Sequence, residues 1–289
     1  MSMSLATILV CLDTDPQPSV FDGVVALDSG VQHLFRHGGV RPENVRDLVY
    51  GALFTRGPTE LKNSAVFIGG SDVTAGEALL KAVTDAFFGP MRVSVMLDSN
   101  GANTTAAAAV LAARRHVPLR GAIATVLAGT GPVGRRVVRL LATEGARVRV
   151  CSRKLTHAEA TCDRVGRSVP GAELSACSND NPMEAATAVE GSQIVIACGP
   201  PGVAILPKGS LQQFAGLQVA IDLNAVPPHG LGDVEPTDKA TKHGEIACYG
   251  ALGVGGTKMR IHKAAIAKLF TANNWVLDAD EIYALGKEL

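Results

Sequence analysis

The sequence has no surplus of charge of either sign: its 27 Lys and Arg residues balance 27 Asp and Glu. A balanced chain offers no broad cationic face to a nucleic-acid backbone or an anionic membrane. Aromatic residues are scarce, at 4% with a single Trp, which argues against a platform for stacking bases. No apolar run reaches the roughly 18 residues that a span requires, so no membrane helix is predicted. The opening stretch, residues 1–6, lacks a basic n-region, so no signal peptide is expected. The six cysteines, at positions 11, 151, 162, 177, 198 and 248, form no C-x-x-C pair. Several end apolar runs, which fits buried free thiols in a reducing cytoplasm better than disulfides or zinc.

What the chain has is apolar bulk and glycine. Hydrophobic residues make up 47% of 289, and 31 residues are Gly. That length suggests about two domains, and the glycine suits an α/β protein with many tight turns. Apolar runs alternate with helical patterns, the rhythm of a parallel sheet covered by helices on both faces. Strands are predicted near 7–12, 32–35, 65–68 and 92–97, with helices near 20–26, 42–53 and 75–87. A long Ala-rich helix over 104–115 then links to a second set of strands at 123–127, 148–151, 172–175, 193–197, 218–223 and 245–248. A second glycine cluster at 250–256 reads as a loop before helices over 258–270 and 279–288. The expected domains are 1–115, completed by 258–289 running back to close a cleft, and a Rossmann-type domain over 116–257.

The most specific signal is Gly129-Thr130-Gly131-Pro132-Val133-Gly134, which follows an apolar run and opens a helix. Strand, glycine turn and helix in that order suit a dinucleotide pyrophosphate. The first glycine permits the turn, the second lets the phosphates approach, and the third lets helix and strand pack closely. The helix start adds unpaired N–H groups and the positive end of its dipole. In NAD sites an acidic residue usually follows about 20 residues on, to bind the ribose 2′-hydroxyl. Here that place holds Ser152-Arg153-Lys154, a hydroxyl and two cations suited to a 2′-phosphate. The expected cofactor is therefore NADP. Gly199, in a Gly-Pro-Pro-Gly loop, and Asn224, before Pro227-Pro228, complete the expected cofactor set. Asn224 also fits a turn-capping role.

Several motifs occur together in order: Asp13-Thr-Asp15, Pro18-Ser-Val-Phe-Asp22, Phe54-Thr-Arg-Gly57, Met96-Leu-Asp-Ser-Asn-Gly101, Asn103-Thr-Thr-Ala-Ala107, the glycine turn, Ser152-Arg-Lys-Leu155 and Gly250-Ala-Leu-Gly-Val-Gly-Gly-x-Lys258. With them, almost the whole chain resembles the NADP-dependent methylene-tetrahydromethanopterin dehydrogenases of methylotrophic bacteria. The resemblance implies oxidation of a methylene-pterin to a methenyl-pterin, with methylenetetrahydrofolate as a further substrate in some members. It also implies a homotrimer. Methylenetetrahydrofolate dehydrogenase as the main activity, and a non-catalytic NADP-binding sensor, are the alternatives.

Hydride loss from a carbon between two nitrogens needs no general base, because the nitrogen lone pairs stabilise the cation left behind. The task is positioning, consistent with the lack of a visible His–Asp or Cys–His constellation. A carboxylate could accept the donor edge of a pterin ring. Asp98 ends an apolar strand, where ligands bind in such sheets, although Asp also favours helix N-caps. Asp13 and Asp15 follow the first strand similarly and also suit turns. Thr55-Arg56 reads as a polar turn after an apolar helix, where Arg56 could contact substrate oxygens or be solvated, and Ser19, Asn100 and Asn103, within the motifs of the resemblance, join the substrate side. Lys258, read as lying at a helix start against the dipole, is the residue the resemblance implies at the reacting centre. Helix-type metal spacing in His33-x-x-x-His37 sits in a strand-like context, so no metal is expected. Tyr283-x-x-x-Lys287 reads as one face of an amphipathic helix.

Overall fold

The computed structural model describes residues 5–289. Residues 1–4, on which part of the signal-peptide expectation rests, lie outside the described residues. The chain forms two units: Met1–Thr104 with Met259–Leu289, and Thr105–Lys258.

The first unit begins with four parallel strands, β1 (Ile8–Asp13), β2 (His33–His37), β3 (Ser64–Gly69) and β4 (Ser94–Leu97). β1 lies between β2 and β3, and β3 pairs with β4. Their connections carry α1 (Val20–Asp28), α2 (Val45–Leu53) and α3 (Val73–Asp85). β3 is buried at every residue, as expected of a central strand covered on both faces. Leu12, Val66, Ile68, Val95 and Leu97 join Val49, Leu53, Leu79 and Val83 of the helices in one core cluster. α4 (Ala102–Arg114) follows β4. Ala106–Ala109 on it are fully buried, and such small side chains allow close packing.

The second unit holds a seven-stranded sheet. β5 (Ile123–Leu127), β6 (Arg147–Ser152) and β7 (Leu174–Ser178) step outward in one direction. β8 (Ile194–Ala197) and β9 (Val219–Asp222) step the other way from β5. α5 (Pro132–Thr143), α6 (Leu155–Ser168) and α7 (Pro182–Val189) connect them. The order reverses between β5 and β8, the switch point at which doubly wound sheets bind ligands. The antiparallel edge strand β10 (Lys239–His243) pairs with β11 (Ile246–Tyr249), which pairs in parallel with β9. The six expected strands are β5–β9 and β11. β10 was not anticipated, because Lys-Ala-Thr-Lys-His is almost wholly exposed and has no apolar alternation.

The last elements return to the first unit. α8 (Ala251–Leu269) leads to β12 (Val276–Leu277) and α9 (Ala279–Lys287). β12 pairs in parallel with β4 and completes the order β12-β4-β3-β1-β2. Asp278 and Glu281 form a capping box at the start of α9. Among the described residues, no helix is long and apolar enough to cross a membrane.

One expectation needs correction. The glycines at 253, 255 and 256 lie inside α8, not in a loop before it. Close packing explains the first: a Cβ on Gly253 would lie 1.7 Å from the Asp238 carbonyl oxygen. Gly255 and Gly256 meet no such neighbour. Gly253→Ala should therefore destabilise the protein by about 1–3 kcal/mol through overpacking. Gly256→Ala should raise stability by about 0.5–1 kcal/mol through helix propensity. Urea unfolding of the two variants checks this contrast.

Candidate functional site

At the carboxyl edge of β5 the chain turns through Ala128 at φ 51°, and the Gly129 N–H donates to the Cys151 carbonyl at 2.8 Å. A Cβ on Gly134 would lie 2.7 Å from the Gly129 Cα, so α5 seats on this turn only with glycine there. Gly131 differs: a Cβ added to it would meet no protein atom. The protein's own packing does not demand glycine at that position, so the space beside it is open to the close approach of a ligand. α5 starts with Gly131 as N-cap and Pro132 in its first turn, with no side-chain cap. Its first-turn N–H groups therefore receive no oxygen from a cap, as an anion site requires. Thr130 and Val133 lie half-buried in the same turn.

β6 ends beside this turn. Ser152 is buried, and its hydroxyl accepts from the Lys154 N–H at 3.4 Å. α6 begins immediately after Lys154, also without a side-chain cap. The Arg153 and Lys154 side chains are exposed and, among the described residues, have no hydrogen-bond or ion-pair partner. Two free cations and two uncapped helix starts thus lie at the ends of adjacent strands. This arrangement fits a phosphorylated dinucleotide.

Gly199 follows β8 and packs against Ile205, 3.1 Å from a Cβ placed on it. Asn224 turns inward: its amide donates to the Pro228 carbonyl at 3.1 Å, and its oxygen accepts from the Val226 N–H at 2.8 Å. It is 4% exposed, so the side chain serves the loop around the cis Pro227–Pro228 bond, not a ribose. Asp222 supports the same loop by accepting from the Asn224 and Leu231 N–H groups. Burial raises its carboxyl above the usual range, and those N–H groups pull the other way.

In the first unit, acidic groups gather at the carboxyl edge of the sheet. Asp13 ends β1 and accepts from the Asp15 and Ser19 N–H groups at 2.9 and 3.0 Å. Asp15 accepts from the N–H and hydroxyl of Ser71. Ser19 caps α1 through the Asp22 N–H. Asp13, Ser19, Asp22, Arg36 and Phe67 line a small recess here. Arg36 shapes its rim by donating to the Pro18 and Ser19 carbonyls at 2.6 and 2.8 Å. Burial pushes the Asp22 carboxyl above the usual carboxylate range, with Asp98 adding to the shift and His262 opposing it.

Asp98, 2% exposed, takes the capping role. Its oxygens accept from the Asn103 and Thr104 N–H groups, both at 3.0 Å, and from the Thr104 hydroxyl at 2.6 Å. His262 of α8 lies 3.7 Å from the same carboxylate and stacks on Phe67 with ring centroids 5.7 Å apart. Asn100 is exposed, at φ 53°. Asn103 is buried and donates to the Leu97 carbonyl and the Asp278 carboxylate, a structural tie.

Thr55 and Arg56 are not brought to this edge. Arg56 donates to the Asn63 and Ala6 carbonyls and the Ser64 hydroxyl, at the amino ends of β1 and β3. Thr55 sits beside it, after α2. Lys258 is the eighth residue of α8, so the reading of it at a helix start is corrected, and the dipole argument lapses. It is half-buried and, among the described residues, has no hydrogen-bond or ion-pair partner. His262 follows four residues later on the same helix face. His33 and His37 lie on β2, where four residues span about 13 Å, too far to share one ion. Sequence reasoning missed Asp22, Arg36 and His262 as site residues. Asp22 stood within a quoted motif, while His262 had only its spacing from Lys258 as a signal.

Residues 20–100 match the family described as methylene-tetrahydromethanopterin dehydrogenase, N-terminal. The chain is 45% identical to the bifunctional protein MdtA of Methylorubrum extorquens, covering 98% of each sequence. It is 28% identical, over 94% of each, to an NAD(P)-dependent methylenetetrahydromethanopterin dehydrogenase of the same organism. Among solved structures, a shikimate 5-dehydrogenase from Listeria monocytogenes aligns over 97% of this chain and 96% of its own, with a TM-score of 0.55 at 13% identity. That likeness concerns the fold alone.

The two glycines of the turn make separable expectations. Gly134→Ala should lower stability by about 1–3 kcal/mol, because backbone must shift. Gly131→Ala should leave thermal unfolding unchanged and weaken dinucleotide binding in a titration. Undiminished binding by Gly131→Ala would remove the argument for close phosphate approach.

Proposed function

The chain belongs to the methylene-tetrahydromethanopterin dehydrogenase family, and from that premise we propose that it transfers a hydride from methylene-tetrahydromethanopterin to NADP. The products are the methenyl-pterin and NADPH, an oxidoreductase reaction of one-carbon metabolism. The observation that carries the NADP reading is the pair Arg153 and Lys154, exposed and unpartnered among the described residues, at the uncapped start of α6.

When bound, NADP supplies the hydride acceptor. The turn 129–134 holds the pyrophosphate through backbone N–H groups, and Arg153, Lys154 and Ser152 hold the 2′-phosphate. Gly199 stays in the proposed set as a loop position where backbone meets the dinucleotide. On the substrate side we place Asp13, Asp15, Ser19, Asp22 and Asn100; Asp98, buried and committed to the start of α4, is left out. Thr55, Arg56, Asn103 and Asn224 are left out, because each is engaged in or beside structural contacts. Hydride loss leaves a cation on the pterin, and an acidic lining stabilises positive charge as it develops. Asp22 is the carboxylate best suited to face the ring, since it lines the recess without capping a helix. Lys258 is assigned to contact and position the pterin.

We also place the enzyme in the cytoplasm, which six free thiols support. We read it as a homotrimer. An exposed apolar stripe on α1, Val20, Phe21, Val24 and Leu27, supports self-association.

Following NADPH absorbance with each methylene-pterin tests the reaction. Faster turnover of methylenetetrahydrofolate would reassign the main substrate, and NADP binding without turnover would reassign the chain to a sensor. Replacing Arg153 and Lys154 together with Gln should weaken NADP binding by about one to two orders of magnitude and leave NAD binding nearly unchanged. Equal weakening of both nucleotides would refute the 2′-phosphate assignment.

A further inference from the structure

Two cysteines of the second unit stand side by side. The β6–β7 register pairs Cys151 directly with Cys177. Directly paired residues of neighbouring strands project to the same face, with backbones about 4.8 Å apart, inside the Cα separation that a disulfide spans. Cys151 is fully buried among Ala185, Ala188 and Val189, and Cys177 packs against the same cluster from a half-exposed position. Cys177 also lines an open surface recess with Arg149, Met183, Glu184 and Glu190. Arg149 is held there by the Ala188 and Glu190 carbonyls at 2.8 and 2.5 Å. One thiol thus faces solvent beside a fixed cation, and its buried neighbour lies behind it.

The two sulfurs hold one proton more tightly than the other. The neighbouring Cys151 lowers the Cys177 thiol to about 6, opposed by burial and helped by Arg149. Cys151, buried beside Cys177, is raised. Burial raises Cys11 and Cys248 to about 12 and Cys162 to about 11. The reactive form of a cysteine is its thiolate.

We propose that Cys177 is a thiol-modification site that exchanges with low-molecular-weight disulfides, and that Cys151 resolves the adduct by closing a cross-strand disulfide. The Cys177 thiolate attacks one sulfur of R–S–S–R, the S–S bond breaks, and the departing thiolate takes up the proton that Cys177 gave to solvent. The Cys151 sulfur then attacks the Cys177 sulfur of the mixed disulfide, and its proton leaves with the second R–S group as R–SH. The cysteine pair loses two electrons, and R–S–S–R gains them as two R–SH.

The bond would act on the cofactor turn. The Cys151 carbonyl holds the Gly129 N–H, and Cys151 directly precedes Ser152, Arg153 and Lys154. A disulfide favours Cα atoms about 5.5–6 Å apart, so closing it spreads Cys151 from β7 and displaces both. This part rests on the NADP site proposed above.

The test treats the full-length protein with glutathione disulfide, maps peptides without reduction by mass spectrometry, and titrates NADP before and after. The wild type should lose two thiols, yield a linked Cys151–Cys177 peptide and bind NADP several-fold more weakly until a thiol reductant restores it. Cys177→Ser should stay unmodified under the same treatment, and Cys151→Ala should retain glutathione on Cys177. Glutathione on another cysteine first, or a wild-type adduct that persists on Cys177, overturns the proposal. A mapped disulfide with unchanged NADP affinity overturns its link to the cofactor turn. NADP binding by the reduced protein is measured separately, so failure of the cofactor site itself is distinguishable.

Discussion

A helix begins with N–H groups that its own carbonyls cannot reach, and this constraint organises both units. In the first unit the chain supplies acceptors itself at α1, α3 and α4, although α2 starts at Asn44 without one. Ser19 caps α1, Asp72 caps α3, and Asp98 accepts at the start of α4. In the second unit, α5 and α6 start without a side-chain acceptor at the ends of β5 and its neighbour β6. α7, which follows the edge strand β7, is capped by Asn181. These two open starts coincide with the glycine turn and the two free cations.

The same constraint explains which residues sequence reading placed well. The glycine turn and Ser152-Arg153-Lys154 were legible because their local chemistry has few uses other than phosphate. Asp98 and Asn224 were ambiguous because a polar side chain after a strand serves a ligand or a neighbouring N–H equally well, and the choice depends on residues distant in sequence. Arg56 was misjudged for a related reason. Its partners, Ala6 and Asn63, lie on segments that only the folded sheet brings together.

Strands were legible where burial on both faces left unbroken apolar runs, as in β3, β5 and β8. β10 lacked any such run, and β12 has only two residues. The glycines of α8 looked like a loop because propensity argues against them in a helix. Backbone proximity at Asp238 overrides that preference at Gly253. The substrate side was legible in part. Hydride transfer from an aminal carbon needs placement and charge more than proton transfer, so no acid–base motif marks the residues. The packing of α8 against Phe67 brought His262 into view.

The pairing of β12 with β4 has a consequence for how the protein is made. β4 lies between β3 and β12 in the finished sheet, yet Val276 lies 179 positions after Leu97 along the chain, the difference 276 − 97. During translation the β4 edge therefore stays bare while the whole second unit is synthesised. An unpaired apolar edge invites association between nascent chains. A ribosome-bound chain stopped before residue 276 is accordingly the form of this protein for which a chaperone matters most.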